Sequence, residues 1–147
     1  MPTICYSAQA QAKLFIRTRD EHCDPHVHAF NLSDGWEVKV FFSYVGCDPV
    51  HNTFEILAGQ PTMSQVNTVI RAMNTHLIRC RQVWWEMLSC VCLTNQMVCI
   101  DARGVLQRAS QTSKNALRVQ SAQYDVVSNS VQFKAVGSNL THIGSCP

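Results

Sequence analysis

Apolar and polar side chains alternate along the first third of the chain, which predicts strands that each bury one face. Asp34 and Gly35 form a turn signal between two of these alternating runs. We therefore predict a small, bent antiparallel sheet in this region. The alternating runs are AKLFIRTR, HVHAF, WEVKVFFSYV and TFEIL, at residues 12–19, 26–30, 36–45 and 53–57.

The spacing of apolar residues changes near Thr62 to steps of three and four, which is typical of an amphipathic helix. Thr62 followed by Gln65 is a capping-box pattern and marks the start of this helix. We predict one long helix that ends near Leu88. Ile78 and Trp85 widen its apolar face, so we expect that face to contact a second lobe or a second copy of the chain as a homodimer.

Beyond Ser89, short apolar runs alternate with Ser, Gln and Asn, and residues 116–137 predict a hairpin that turns near Ser128. The expected fold class is therefore α+β, with a small bent antiparallel sheet packed on one long amphipathic helix and a β-rich C-terminal extension. We expect residues 1–88 to form the sheet-plus-helix region. Residues 89–147 form the extension, packed into the same globule.

Composition excludes several classes of protein. The 147 residues are 46% hydrophobic, which is enough for a buried core, and the net charge of +2 gives no reason to expect a nucleic-acid partner. No apolar run reaches spanning length and no leader is visible, so we expect a soluble cytoplasmic protein without membrane contact.

Eight cysteines without a C-x-x-C pair argue against a zinc ribbon. Most are expected to be buried thiols, with a disulfide framework as the less favoured alternative.

The stretch RDEHCDPHVHAF, residues 19–30, concentrates the candidate chemistry. His26 and His28 alternate along a predicted strand, so both imidazoles face the same side and can converge on one ion. Imidazoles combined with a carboxylate or a thiolate favour a divalent transition metal such as Zn²⁺ over Mg²⁺. The predicted metal ligands are His22, His26, His28 and Asp24, with Cys23 and Asp20 as alternatives in the same loop.

Two further interpretations of the same stretch stay open. In the first, His26 and His28 act as general acid and base, and Arg17 or Arg19 stabilises negative charge, as in a toxin-like ribonuclease that needs no metal. In the second, the histidines only hydrogen-bond to nearby loop carbonyls. The chain is then a non-catalytic interaction module that binds a protein partner through its helix face and its extension.

The order of motifs resembles a family of small bacterial proteins of unknown function. The shared features are the opening MPTI, the motif EHCDPHVH, the motif EILAGQ and a helix that contains tryptophan, which together cover residues 1–88. The family signature is acidic-His-x-Pro-Pro-His-Phe-His, from which this chain departs at Asp24 and Val27. The resemblance implies a mobile-element-type protein, in some members encoded beside a second small protein as in toxin–antitoxin pairs, and it implies no reaction. The matching signature residues here are Glu21, His22, His26 and His28.

Overall fold

The computed structural model describes residues 2–17, 25–42, 44–45, 48–49, 51–109 and 114–146, without the side chains of residues 44–45, 48–49, 90 and 91. The chain divides into two compact units, each of which has most of its contacts within itself. The first comprises Met1–Ser43 and Val50–Val83, and the second comprises Tyr44–Pro49 and Trp84–Pro147. The predicted division into residues 1–88 and an extension of residues 89–147 packed into the same globule stays a prediction.

The described residues form twelve strands and two helices. None of the helices among them is both long and apolar enough to cross a lipid bilayer. In chain order the elements are β1 (Thr3–Ser7), β2 (Ala12–Phe15), β3 (His26–Asn31), β4 (Glu37–Phe41), β5 (Tyr44–Val45), β6 (Asp48–Pro49), β7 (Phe54–Ala58), α1 (Met63–Thr75), α2 (Leu77–Leu93), β8 (Met97–Ile100), β9 (Leu106–Arg108), β10 (Leu117–Asp125), β11 (Ser130–Ala135) and β12 (Thr141–Ser145).

The first unit contains an antiparallel sheet of five strands in the order β1-β2-β3-β4-β7. The runs HVHAF and TFEIL are confirmed as strands β3 and β7, and the turn predicted at Asp34 and Gly35 is confirmed between β3 and β4. Strands β2 and β4 are shorter than the runs that predicted them. The alternation of residue types therefore located this sheet, although it overestimated the length of two strands.

One face of this sheet is apolar and packs against α1. Leu14, Val27 and Val38 on this face are fully buried, and α1 contacts β1, β2 and β4. Cys5 pairs with Leu14 across the strands, so it belongs to the same face. Burial raises the pKa of the Cys80 thiol on α2 to about 12, and the nearby Cys5 adds to the shift. Cys80 is thus a buried thiol that packs as an apolar side chain, as the sequence predicts.

The prediction of one long helix is wrong. The capping box of Thr62 and Gln65 is confirmed at the start of α1, but the helix is interrupted at His76, where φ is −110° and ψ is 27°. The carbonyl of Ala72 accepts a bond from the backbone N–H of His76 at 3.2 Å, and the imidazole Nδ1 of His76 lies 3.0 Å from the same oxygen. The same N–H also lies 3.1 Å from the carbonyl oxygen of Met73, an i→i−3 contact that tightens the last turn of α1. The second helix then continues five residues beyond the predicted end at Leu88.

The predicted fold class is also wrong, because the protein is mostly β. In place of a small extension, the second unit contains another antiparallel sheet of five strands, in the order β12-β11-β10-β8-β9, and the short pair β5-β6. The hairpin predicted over residues 116–137 is confirmed as β10 and β11. Strands β8 and β9 come from residues 97–108, where polar residues interrupt the apolar runs, so no clear alternation predicts these two strands.

The sheet of the second unit curls until its two edges meet. Strand β10 pairs with β8 through Leu117 and Arg118, and with β11 from Val119 onward, with a bulge between Val119 and Ser121. At the edges, Val105 and Ser145 form a parallel bridge, and the N–H of Ser145 donates to the carbonyl of Gly104 at 2.8 Å. The curled sheet thus encloses a core of its own. Its buried members include Val98, Leu106, Val119, Val131 and Phe133.

Trp85 does not extend an exposed apolar face. Only 5% of Trp85 is exposed within the single chain, whereas Ile78 is 71% exposed. The two residues that suggested a homodimer face therefore have different environments. Intrachain burial accounts for the apolar character of Trp85 without a second copy of the chain.

Candidate functional site

The face of the first sheet that bears its polar residues carries a row of four side chains, one from each of four neighbouring strands. Phe15 on β2 lies opposite His28 on β3, His28 lies opposite Lys39 on β4, and Lys39 lies opposite Glu55 on β7. Residues directly opposite each other on antiparallel strands point to the same face of the sheet. The row therefore places an imidazole beside an ammonium, between an aromatic ring and a carboxylate.

His26 lies two residues before His28 on β3 and on the same face, opposite Phe41 on β4. The exposed fractions are 1% for His26, 3% for His28 and 1% for Lys39. Polar side chains that are removed from water to this extent need polar partners inside the protein. Both faces of this sheet are thus buried here, and the polar face has to satisfy its own hydrogen-bonding groups.

The two histidines meet through their Nε2 atoms, which are 3.3 Å apart. At this distance one ring can donate its Nε2–H to the lone pair of the other, or both lone pairs can point at a shared cation. Two nitrogen ligands of a tetrahedral zinc, each about 2.0–2.1 Å from the metal, are about 3.3–3.4 Å apart. The observed separation therefore matches that of two nitrogen ligands of one metal ion.

The carboxylate of Glu37 lies beside Nδ1, the second ring nitrogen of His28. Its Oε2 lies 3.4 Å from Nδ1 of His28, and its two oxygens accept bonds from Nη2 of Arg17 at 2.8 and 3.0 Å. A carboxylate at Nδ1 favours the tautomer with the proton on Nδ1, which leaves the Nε2 lone pair available. A carboxylate at the second nitrogen of a histidine is the usual support for a metal-bound imidazole.

Four aromatic rings and two cationic side chains are in contact one after another across this face. Successive members are separated by 5.6, 5.5, 5.0, 5.6 and 5.4 Å, measured between ring centroids or from the charged group to the centroid. Packing from both sides fixes the orientation of the two imidazoles. In order, the members are Arg17, Phe15, His28, His26, Phe41 and Lys39.

Three of the predicted site residues come together in the structure. His26 and His28 are in contact, and Arg17 is bonded to Glu37, which lies beside His28. We call this group of side chains the cluster; its members are Arg17, His26, His28, Glu37, Lys39, Phe41 and Glu55. The other predicted site residues, which lie outside the described residues, are Arg19, His22 and Asp24, together with the alternatives Asp20 and Cys23. Among the described residues, no group of three or more His, Cys, Asp or Glu side chains is placed to hold a metal. The described cluster therefore supplies two nitrogen ligands.

Sequence reasoning missed Glu37, Phe41 and Glu55 as members of the cluster. A signal for two of them exists, because Glu37 and Phe41 alternate with the apolar residues of β4 and so share a face with the charged Lys39. Alternation, however, is typical of a strand with its polar face in solvent, as is usual for an antiparallel sheet. Glu55 joins the cluster only through the pairing of β4 with β7, which a single sequence does not specify.

No family model matches the chain, and no curated protein or solved structure matches it either. The resemblance to small bacterial proteins of unknown function stays a prediction.

Proposed function

We propose that this protein binds a divalent transition metal, with Zn²⁺ as the first candidate, through Nε2 of His26 and of His28. The observation that carries the proposal is the 3.3 Å separation of these two nitrogens in buried side chains, one of which is oriented by Glu37. Imidazole nitrogen is a common ligand of zinc and of neighbouring transition metals. The remaining ligands in this proposal are the sequence-predicted His22 and Asp24.

The charges of the cluster favour an anionic ligand in the remaining positions. Arg17 pairs with Glu37 and Lys39 pairs with Glu55, so the positive and negative side chains balance before any ion is bound. A divalent cation on two neutral imidazoles adds two positive charges in a buried region, where uncompensated charge is costly. A carboxylate such as that of Asp24 would offset part of this charge, which supports its place in the ligand set.

Acid–base catalysis on phosphodiesters is the second candidate, and the contact between His26 and His28 also favours it, because one proton can be shared between the two rings. That mechanism needs a cation free to stabilise the phosphate charge. Nη2 of Arg17 is bonded to both oxygens of Glu37, however, and Arg19 lies outside the described residues. The toxin-like ribonuclease is therefore the less favoured proposal.

Removal of both histidines tests the metal proposal. Untagged wild-type protein supplied with Zn²⁺ and then dialysed is expected to retain about one ion per chain, and His26→Ala/His28→Ala is expected to retain none. Elemental analysis measures the ion, and circular dichroism shows whether the variant is folded. The matched control is His51→Ala, because His51 bonds to Asn74 outside the cluster. A folded double variant that keeps its zinc, or a wild type that never binds it, contradicts the proposal.

Replacement of Glu37 by glutamine tests the support of His28. The loss of negative charge at Nδ1 is expected to lower the metal affinity about 10–100-fold while the ligands themselves stay in place. Competition with a chromophoric chelator measures the affinity. Glu86→Gln removes the same charge from an exposed position on α2 and should leave the affinity unchanged. Equal affinities for Glu37→Gln and Glu86→Gln would show that Glu37 has no part in the site.

A further inference from the structure

Lys39 is an unusual member of the cluster because its ammonium is buried with few partners. The residue is 1% exposed, and its Nζ lies 3.2 Å from Oε2 of Glu55. In the part of the chain that the structure describes, Glu55 provides the only carboxylate paired with Nζ. An ammonium has three N–H donors, and a buried one is stable only when acceptors surround it. The site therefore has capacity for a further anionic acceptor.

The two partners of this ion pair differ in their access to water. The side chain of Lys39 is 2% exposed, whereas the side chain of Glu55 is 54% exposed. A carboxylate so accessible to solvent contributes a weak interaction, because water and dissolved ions compete for its partner. The side chain of Glu55 can turn into solvent when another anion takes its place at Nζ, whereas Lys39 stays buried. An anion from solution can thus replace the carboxylate of Glu55 at the ammonium.

Lys39 also adjoins the two histidines. It lies directly opposite His28, and the ring of Phe41 contacts both Nζ of Lys39, at 5.4 Å, and the ring of His26, at 5.6 Å between centroids. An anion bound at Nζ would therefore lie on the same face of the sheet as the proposed metal ligands. A divalent ion and an ammonium on one face are a combination that binds oxyanions.

We propose that Lys39 forms a subsite for a small oxyanion, namely the carboxylate or phosphate group of a ligand, and that Glu55 occupies this subsite when the ligand is absent. The placement beside a metal rests on the proposed function, whereas the exchange of Glu55 for an anion at Lys39 does not. Glu55 thereby acts as a competitor that any ligand has to displace.

Two variants with opposite expected effects test the subsite. Inorganic phosphate is titrated calorimetrically into wild type, Lys39→Met and Glu55→Gln, each with and without one equivalent of Zn²⁺. Glu55→Gln is expected to bind phosphate about tenfold more tightly than wild type, since the competitor is removed, and Lys39→Met about tenfold more weakly. Lys13→Met, on β2 of the same sheet, is the matched control and should behave as wild type. Acetate in a parallel titration distinguishes a carboxylate ligand from a phosphate ligand.

The outcomes separate this proposal from the metal proposal. Opposite effects of the two variants without zinc retention support the subsite and overturn the metal site. Zinc retention with a phosphate affinity that is the same in wild type, Lys39→Met and Glu55→Gln overturns the subsite and leaves the metal site standing. Absence of both phosphate and acetate binding in every form also overturns the subsite. Circular dichroism of each variant ensures that only folded proteins are compared.

Discussion

Replacement of Phe133 by alanine is expected to lower the free energy of unfolding of the curled sheet by about 3–5 kcal/mol. Phe133 is 2% exposed, and its ring stacks on the ring of His142 with 5.2 Å between centroids. Its loss removes a large apolar side chain from the core and leaves a cavity that the closed sheet cannot fill, because β9 and β12 are held together at Val105 and Ser145.

The neighbouring Gln132 offers a matched control for this prediction. Its side chain is exposed on the opposite face of β11, so Gln132→Ala is expected to change the free energy of unfolding by no more than about 0.5 kcal/mol. Hydrogen exchange of the amides in β10, β11 and β12 is the suitable measurement, because a chain with two units need not unfold in one step. Similar exchange rates in Phe133→Ala and Gln132→Ala would contradict the described core.

Replacement of Gly59 by alanine is the second substitution with a large expected effect, about 2–4 kcal/mol of destabilisation in the first unit. Gly59 has a φ of +70°, which costs a residue with a side chain about 1 kcal/mol. An added Cβ would also lie 2.7 Å from Cβ and 2.9 Å from Cα of Trp36, so the backbone itself would have to move. Overpacking of this kind costs about 1–3 kcal/mol more.

Substitution of Gly35 distinguishes the cost of the positive φ from the cost of the steric contact with Trp36. Its φ of +72° is almost the same, but an added Cβ would meet nothing within 4 Å. Gly35→Ala is therefore expected to cost only the backbone contribution of about 1 kcal/mol. Hydrogen exchange of the amides in β4 and β7 measures both variants. If the two alanine variants are equally destabilised, the close approach of Gly59 to Trp36 does not contribute.

Local signals in the sequence were sufficient for several elements. Alternation located β3 and β7, Asp34 with Gly35 marked a turn, and Thr62 with Gln65 marked the start of α1. Each of these features depends on residues close together in the chain. The shared face of His26 and His28 belongs to the same class, because two residues of a strand that are separated by one other residue lie on the same side of the sheet.

The features that sequence reasoning missed depend on contacts between distant residues. The apolar pattern continues across His76, so the pattern of the helix does not reveal its interruption. Alternation also suggests that polar residues of a strand face water, but Lys39 is 1% exposed on a sheet that is buried on both faces. Glu37 and Glu55 lie near the histidines only because of the register in which β3, β4 and β7 pair. A single sequence does not specify that register.

The second unit draws its chain from two separate stretches, Tyr44–Pro49 and Trp84–Pro147. Strands β5 and β6 belong to the first stretch, and β5 contacts β9 from the second. A truncation after Val83 would thus leave each product incomplete, since the N-terminal fragment would keep a hairpin whose partner strand is in the other fragment. The two units are not modules that a single recombination event could exchange. Any evolutionary shuffling or engineered graft has to transfer both together, or redesign the segment at residues 44–49.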